Sequence, residues 1–200
     1  MSTQRKPRSS RQFLSVLGLM AIALLIGSGK WLLSSFNFEN ESEHVPDVAA
    51  QALDVDLHLL REIMPRADSF SEKQGQPPVY RAYGASVNGA EQTLVGYVFL
   101  TADLPPEEVG YSGTIKVLVG MDMEAKLTGI KVLYYAETLR RLWGDFLANP
   151  GYQEQFAGKP ITDAFRVDQD IDGIVRATVT FRAMSRGIRN AARRVASAYL

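Results

Sequence analysis

The sequence predicts an α+β protein, a mostly antiparallel sheet flanked by helices and preceded by one transmembrane helix. Three observations support this fold class. Alternating apolar residues, typical of strands with one buried face, fill the middle of the chain. Segments with helical periodicity lie on both sides of that region, and an uncharged apolar stretch lies near the N-terminus. The chain has 200 residues, enough for one domain of ordinary size plus an appendage.

The composition excludes several kinds of chemistry. It is 46% apolar and 22% charged with a net charge of zero, which is typical of a globular protein and shows no bias toward nucleic acid. There is no cysteine, so disulfides, thiolate iron–sulfur ligation and cysteine nucleophiles are excluded. The two histidines, His44 and His58, precede the expected sheet. We therefore expect no metal site and no catalytic triad, which leaves carboxylates, hydroxyls, backbone amides or a bound organic cofactor.

Residues 1–12 form a basic N-terminus, and residues 13–33 fit a transmembrane anchor. Residues 13–29 carry no charge, and Lys30 can snorkel from a helix end, so about twenty residues can cross a bilayer core. A cleaved signal peptide and a buried core helix are the alternatives. No small-residue cleavage site follows, and the basic flank favours an anchor. The positive-inside rule then predicts a cytoplasmic N-terminus and an extracytoplasmic remainder, periplasmic at the inner membrane of a Gram-negative cell.

Residues 34–78 are expected to form a linker and a docking helix ahead of a domain over residues 79–200. Residues 34–45 are polar and acidic, as in a juxtamembrane linker. Pro46 can open a helix whose apolar positions continue until Pro65. We expect this helix to pack on the domain.

The domain is predicted to begin with two β-hairpins. Residues 79–87 and 93–102 flank a polar turn, and residues 114–123 and 127–137 flank a shorter one. Apolar and polar residues alternate in the second pair, which indicates that one face of the sheet is buried.

Two helices and a strand are expected after the hairpins. Residues 138–148 have helical periodicity and end at an Asn-Pro-Gly sequence. Residues 172–180 are predicted as the last strand and turn, and residues 181–200 as the last helix. Its expected core-facing stripe consists of Phe181, Met184, Ile188, Val195 and Tyr199.

Arginines line the opposite face of the last predicted helix. The stripe consists of Arg182, Arg186, Arg189 and Arg193. One interpretation is a solvated basic face, and the other is a docking surface for an anionic partner or local neutralisation of a phosphate. Nucleic acid is not expected as the partner of an extracytoplasmic domain.

Thr178 and Thr180 lie where the last strand is predicted to meet the last helix. Unpaired amides and the positive end of the helix dipole favour a phosphate at such a junction, and Arg176 or Arg182 could add charge-assisted hydrogen bonds. The alternative is that Thr180 serves only as the N-cap of the helix. Glu137 and Thr138 could likewise cap the helix that follows them.

The order of these features resembles the FMN-binding domain family. The resemblance rests on GYSGTIKVLVGMDMEAKLTGIKVLYYAET, then FAGKP, then DGIVRATVTFRA, and covers roughly residues 79–198. The family includes the G subunit of the Rnf ion-translocating electron transport complex, the C subunit of the sodium-translocating NADH–quinone reductase and the N-terminal domain of NosR-type regulators. It implies an FMN-binding domain with a mostly antiparallel sheet flanked by helices.

In this family, a strand-to-helix motif of the form D-x-x-[S/T]-G-A-T carries FMN as a phosphoester on its last threonine. Asp172 matches the leading aspartate, Ala177 the alanine and Thr178 the flavinylated threonine. Val175 and Arg176 stand where the family has serine or threonine and then glycine.

An upstream family run of the type His-His-Glu-Thr-Pro-Gly-Leu-Gly is only partly present in this chain. Here the sequence is YYAETLRRLWG, which keeps Glu137 and Thr138. By resemblance, the cofactor-binding residues are therefore Asp172, Arg176, Ala177, Thr178, Thr180, Glu137 and Thr138.

The resemblance implies a membrane-anchored, extracytoplasmic flavoprotein subunit that passes electrons through covalently bound FMN. Its implied partners are the membrane, the other subunits of an electron transport complex and a flavin transferase that installs the FMN from FAD. The alternative is a flavin-free or NosR-like member that acts as a regulatory or assembly partner of a membrane redox system. A stand-alone enzyme is the third interpretation, although no catalytic constellation supports it.

Overall fold

The computed structural model describes residues 55–86, 91–138 and 140–200. The predicted basic N-terminus, the transmembrane anchor and most of the linker lie outside these residues. Within the described part of the chain, no helix combines the length and the apolar character that crossing a membrane requires.

Five antiparallel strands form one sheet in the order in which they occur along the chain. They are β1 (Ser69–Phe70), β2 (Tyr80–Tyr83), β3 (Leu94–Leu100), β4 (Ile115–Asp122) and β5 (Leu127–Tyr135). Each strand pairs with the next, so the sheet is a meander. Both predicted hairpins are confirmed, β2 with β3 and β4 with β5. Strand β1 was not predicted, because two residues are too short to show a periodicity.

In the described part of the chain, three helices accompany the sheet: α1 (Leu57–Ile63), α2 (Arg140–Trp143) and α3 (Thr178–Tyr199). Asp56 caps α1, since its side chain accepts a hydrogen bond from the Leu59 amide at 2.8 Å. Single 3₁₀ turns occupy Thr101–Asp103, Phe146–Ala148 and Glu154–Phe156. The observed architecture confirms the α+β fold class.

The two faces of the sheet are buried under different helices. Along β4, Val117, Val119 and Met121 belong to the larger apolar cluster, which includes the buried face of α3. Leu118 points the other way and belongs to the smaller cluster with Leu60 and other residues of α1. Burial on both faces explains why β4 is apolar almost throughout, and the expectation that only one face of the sheet is buried is wrong for this strand.

The predicted core-facing stripe of the last helix is correct. Phe181, Met184, Ile188 and Val195 are buried. Tyr199 is partly buried, stacks on Tyr97 with ring centroids 5.1 Å apart, and donates a hydrogen bond to the Pro77 carbonyl at 2.6 Å. These contacts hold both ends of α3 against the sheet.

The predicted last strand is wrong. Residues 172–177 form a loop and turn, and α3 begins at Thr178, three residues earlier than expected. Ile174 and Ala177 are buried in this loop and turn, and Phe181 is buried in the first turns of α3. The β-branched residues of this stretch favour a strand locally, but the tertiary packing of these buried residues overrides the preference.

The predicted helix over residues 138–148 is also wrong as a continuous element. The structure has α2, four residues long, and then the 3₁₀ turn Phe146–Ala148. Gly144 separates them with a φ of +68°, a left-handed conformation that ends helices. The break lets Phe146 and Leu147 turn into the core.

Candidate functional site

A cavity of about 490 Å³ lies at the N-terminus of α3. Its walls come from the turn before β4, the end of β5 and the first turn of α3. The lining residues are Tyr111, Glu137, Thr138, Arg176, Ala177, Thr178, Val179 and Thr180. Six of the seven residues predicted to bind a cofactor therefore meet in one cavity, although 35 residues or more separate the two groups in the sequence.

Asp172 is the predicted site residue that does not line this cavity. It is exposed, and Gln155 holds its backbone: the Asp172 amide donates to Gln155 Oε1 at 2.7 Å, and Gln155 Nε2 donates to the Asp172 carbonyl at 3.2 Å. These two hydrogen bonds with Gln155 therefore fix the loop leading to α3 at Asp172.

The N-terminus of α3 opens onto the cavity. Ala177 is the N-cap and supplies no side-chain hydrogen bond to the first turn. Thr178 follows as the first helical residue and is half-buried. Because the first amides of a helix lack intrahelical partners and carry the positive end of the dipole, this end is suited to an anion.

Thr180 fixes the glycine turn of residues 110–113 against α3. It is fully buried, and its Oγ1 accepts a hydrogen bond from the Tyr111 amide at 3.1 Å. A Cβ on Gly110 would lie 3.0 Å from that oxygen, so a residue without a side chain suits the close approach. The suggestion that Thr180 is only an N-cap is wrong, because Thr180 lies inside the first turn and its hydroxyl binds another part of the chain.

Glu137 contributes a carboxyl group to the cavity from the end of β5. Two residues earlier, the buried Tyr135 donates a hydrogen bond to Asp145 at 2.7 Å, which fixes the end of the strand. Within the described part of the chain, Glu137 Oε1 is buried and has no hydrogen-bond partner. Burial raises the pKa of Glu137, and the nearby Tyr111 amide offsets only part of that rise.

We expect Glu137→Gln to stabilise the fold at neutral pH. Because the folded-state pKa is raised, the ionised carboxyl destabilises the folded protein above that pKa, and the amide removes this effect. The stability difference between the variant and the native protein should decrease as the pH falls, because the native glutamate then becomes protonated. Urea unfolding at several pH values measures it. A Glu137→Gln variant that is less stable than the native protein at neutral pH would contradict the raised pKa of Glu137.

Arg176 has a left-handed backbone in the turn before α3. Its φ is +69°, and it is exposed next to Val175, whose side chain is 83% exposed. A non-glycine residue with this φ is uncommon. Glycine, which the resembled motif has at this position, adopts this conformation without strain.

We expect Arg176→Gly to stabilise the protein relative to Arg176→Ala by about 1 kcal/mol, because only glycine relieves the left-handed strain. Both variants remove the arginine side chain, so their difference isolates the backbone effect. Thermal unfolding of the pair measures it. Equal stability of the two variants would show that the turn has a different conformation in solution.

Two residues of the cavity, Tyr111 and Val179, were not predicted from the sequence as site residues. Their side chains are 73% and 57% exposed, unusual for large apolar groups. The glycine turn around Tyr111 is visible in the sequence, but it could not be placed near α3, because 69 residues separate Tyr111 from Thr180.

Comparison with known proteins agrees with this geometry. A family model described as an FMN-binding domain matches residues 110–193, which include every lining residue of the cavity. The chain is 28% identical over 164 residues to the G subunit of the ion-translocating oxidoreductase complex of Vibrio atlanticus, with 76% of this chain and 73% of that protein covered. Its counterpart from Aliivibrio fischeri is 29% identical over 145 residues, with 69% and 64% covered.

A more distant relative comes from a different bacterium. The G subunit of the proton-translocating ferredoxin:NAD(+) oxidoreductase complex of Clostridium ljungdahlii is 24% identical over 156 residues, with 75% of this chain and 77% of that protein covered. The domain match and these relatives confirm the resemblance inferred from the sequence motifs. Residues 110–193 are thus similar to the FMN-binding domain family, and the chain is similar to the G subunits of these complexes.

Proposed function

We propose that this chain is a flavin-containing subunit of a membrane electron transport complex and that it carries FMN as a phosphoester on Thr178. The observation that carries the proposal is the position of Thr178, the first residue of α3, in the wall of a cavity within the domain matched as FMN-binding.

The residues of the cavity fit FMN. The volume of about 490 Å³ lies within the range of about 300–1,000 Å³ that is usual for small-molecule sites. The N-terminus of α3 suits the phosphate, and the exposed ring of Tyr111 offers a surface against which an aromatic ring can stack. The unpartnered Oε1 of Glu137 provides a polar atom that a ligand can satisfy.

Attachment requires the Thr178 hydroxyl and FAD as the co-reactant, with a flavin transferase as catalyst. A bond forms between Thr178 Oγ1 and the phosphorus of the FMN half of FAD. The bond from that phosphorus to the AMP half breaks, AMP leaves, and the hydroxyl proton is released. No electrons are exchanged in this step.

When bound, the isoalloxazine ring supplies one- or two-electron transfer. The chain holds and orients it. Ala177 and Thr178 place the attachment point at the positive end of α3, and the hydrogen bond between Tyr111 and Thr180 fixes the opposite wall. Burial raises the pKa of Glu137, so its carboxyl is easier to protonate than that of an exposed glutamate.

We further propose that residues 13–33 anchor the chain and that the domain is extracytoplasmic, periplasmic at an inner membrane. The uncharged stretch and its basic flank support this orientation. The relatives are named as subunits of ion-translocating and proton-translocating oxidoreductase complexes, which supports other subunits of such a complex as partners.

The proposal is tested by co-expressing the full chain with a flavin transferase and examining the detergent-purified protein. We expect flavin absorbance in solution and a fluorescent band that survives denaturing electrophoresis. Without the transferase the band should be absent. Flavin that is released on denaturation would contradict covalent attachment.

A second candidate function is a flavin-free regulatory or assembly partner of a membrane redox system. The pair Val175-Arg176, at the positions of the family's serine or threonine and glycine, favours it, because Arg176 departs from the motif and lines the cavity. Protein that remains colourless after co-expression with the transferase would support this second function over the first.

A further inference from the structure

Four arginines surround a second concave surface, distinct from the cavity at Thr178. We call it the arginine groove. It has a volume of about 330 Å³ and is lined by Phe165, Arg166, Val167, Arg182, Arg186 and Arg189. Three of the arginines come from α3, and Arg166 comes from the loop that faces them. Like charges brought together in this way repel one another, so their convergence favours an anion.

A fixed loop brings Arg166 to the groove. Phe165 and Asp168 have φ values of +52° and +68°, and a positive φ is rare for a bulky residue such as phenylalanine. The Asp170 carboxylate accepts hydrogen bonds from the amides of Phe165 at 2.9 Å and Arg166 at 2.6 Å. Lys159 lies 3.4 Å from the same carboxylate. The strained conformation is therefore held in place, as strained segments at functional surfaces are.

The groove has more positive than negative charge. Helix α3 contains five arginines and no acidic residue. The ion pairs found in the described part of the chain neutralise two of the groove's arginines, Arg182 through Asp168 and Arg186 through Glu108. Arg189 donates to the neutral carbonyl of Ala164 at 3.2 Å.

One of these ion pairs can be exchanged for contacts with a partner. Arg182 and Asp168 are 3.4 Å apart, and their side chains are 56% and 71% exposed. An exposed pair of this kind contributes only about 0–1 kcal/mol, so an incoming carboxylate can replace it at little cost. Arg186 donates from both Nε and Nη2 to Glu108, whose side chain is only 24% exposed, so that pair is held more firmly.

We propose that the arginine groove is a docking surface for a carboxylate-rich segment of a partner protein. The two acidic groups that the groove already contacts are carboxylates, which guanidinium groups bind through planar hydrogen bonds. The groove begins at Arg182, one helical turn from Thr178, or ~6 Å along the axis of α3. A partner docked in the groove therefore lies beside the cavity. The proposal does not depend on whether flavin is attached.

The test uses the full chain in detergent, without flavin, and a fluorescently labelled octaglutamate peptide as the probe. We expect binding, measured by fluorescence anisotropy, that weakens steeply as the salt concentration rises. Arg166→Gln and Arg182→Gln should each weaken it by about tenfold, since each removes charge-assisted hydrogen bonds. Circular dichroism of each variant checks that the fold is retained.

Arg194→Gln is the matched control. Arg194 is an exposed arginine of α3 that donates to the Pro105 carbonyl at 2.6 Å and lines a different cavity, of about 340 Å³, so its loss should leave peptide binding unchanged. An equal loss in Arg194→Gln would overturn the proposal in favour of diffuse attraction to a basic helix. So would absence of peptide binding, or Arg166-dependent binding to phosphatidylglycerol vesicles without peptide binding, which would indicate a lipid surface instead. None of these results depends on the flavin chemistry at Thr178.

Discussion

Replacing Thr178 with valine is expected to abolish covalent flavin attachment completely. Valine has the same shape but lacks the hydroxyl oxygen that forms the phosphoester. Thr178 is half-buried in the first turn of α3, where valine and threonine have similar helix propensities. The folded structure should therefore survive, and in-gel flavin fluorescence after co-expression with the transferase measures the loss.

Thr138→Val provides the matched control for this prediction. Thr138 also lines the cavity and is exposed, and its hydroxyl lies 3.4 Å from that of Ser112. We expect this variant to keep its covalent flavin. A Thr178→Val protein that still carries covalent flavin would show that another residue is the attachment point.

Phe181→Ala is expected to cause the largest loss of stability among the changes considered, about 3–5 kcal/mol. The ring is fully buried, 5.8 Å from that of Tyr152 and 6.5 Å from that of Phe156 between centroids. Removing it leaves a cavity beneath the first turns of α3. Since native domains are stable by only about 5–15 kcal/mol, the midpoint of thermal unfolding should fall by roughly 10 °C or more.

Val179→Ala tests whether the burial of Phe181 causes the loss of stability in Phe181→Ala. Val179 lies two residues away in the same helix with 57% of its side chain exposed, so its truncation should change stability by no more than about 0.5 kcal/mol. Denaturant unfolding compares both variants with the native protein. A Phe181→Ala variant within about 1 kcal/mol of the native protein would mean that α3 does not pack on the sheet as described.

The hairpins could be predicted because their signal is local. The β-branched and apolar residues of β4 and β5 favour strands, and a short polar turn separates the two. The loop before α3 could not be predicted in the same way. Val175, Thr178 and Val179 favour a strand by propensity, whereas the burial of Ile174, Ala177 and Phe181 depends on the rest of the fold.

The candidate site was predicted only where a motif marks it. The match around Thr178 supplied the proposed attachment point, and Glu137 and Thr138 came from a second, weaker motif. That all three line one cavity with Tyr111 depends on tertiary contacts, above all the hydrogen bond from the Tyr111 amide to Thr180. The left-handed backbone of Arg176 could not be predicted for the same reason, because an arginine does not by itself require a positive φ.

Peptide mass spectrometry tests the central claim most directly. The full chain, co-expressed with a flavin transferase, is purified, digested and fragmented to locate any modification. We expect one adduct with the mass of FMN less one water on the peptide containing Thr178, and fragmentation should assign it to that residue. An unmodified Thr178 peptide from protein made under those conditions, or an adduct on a different residue, would contradict the proposed attachment.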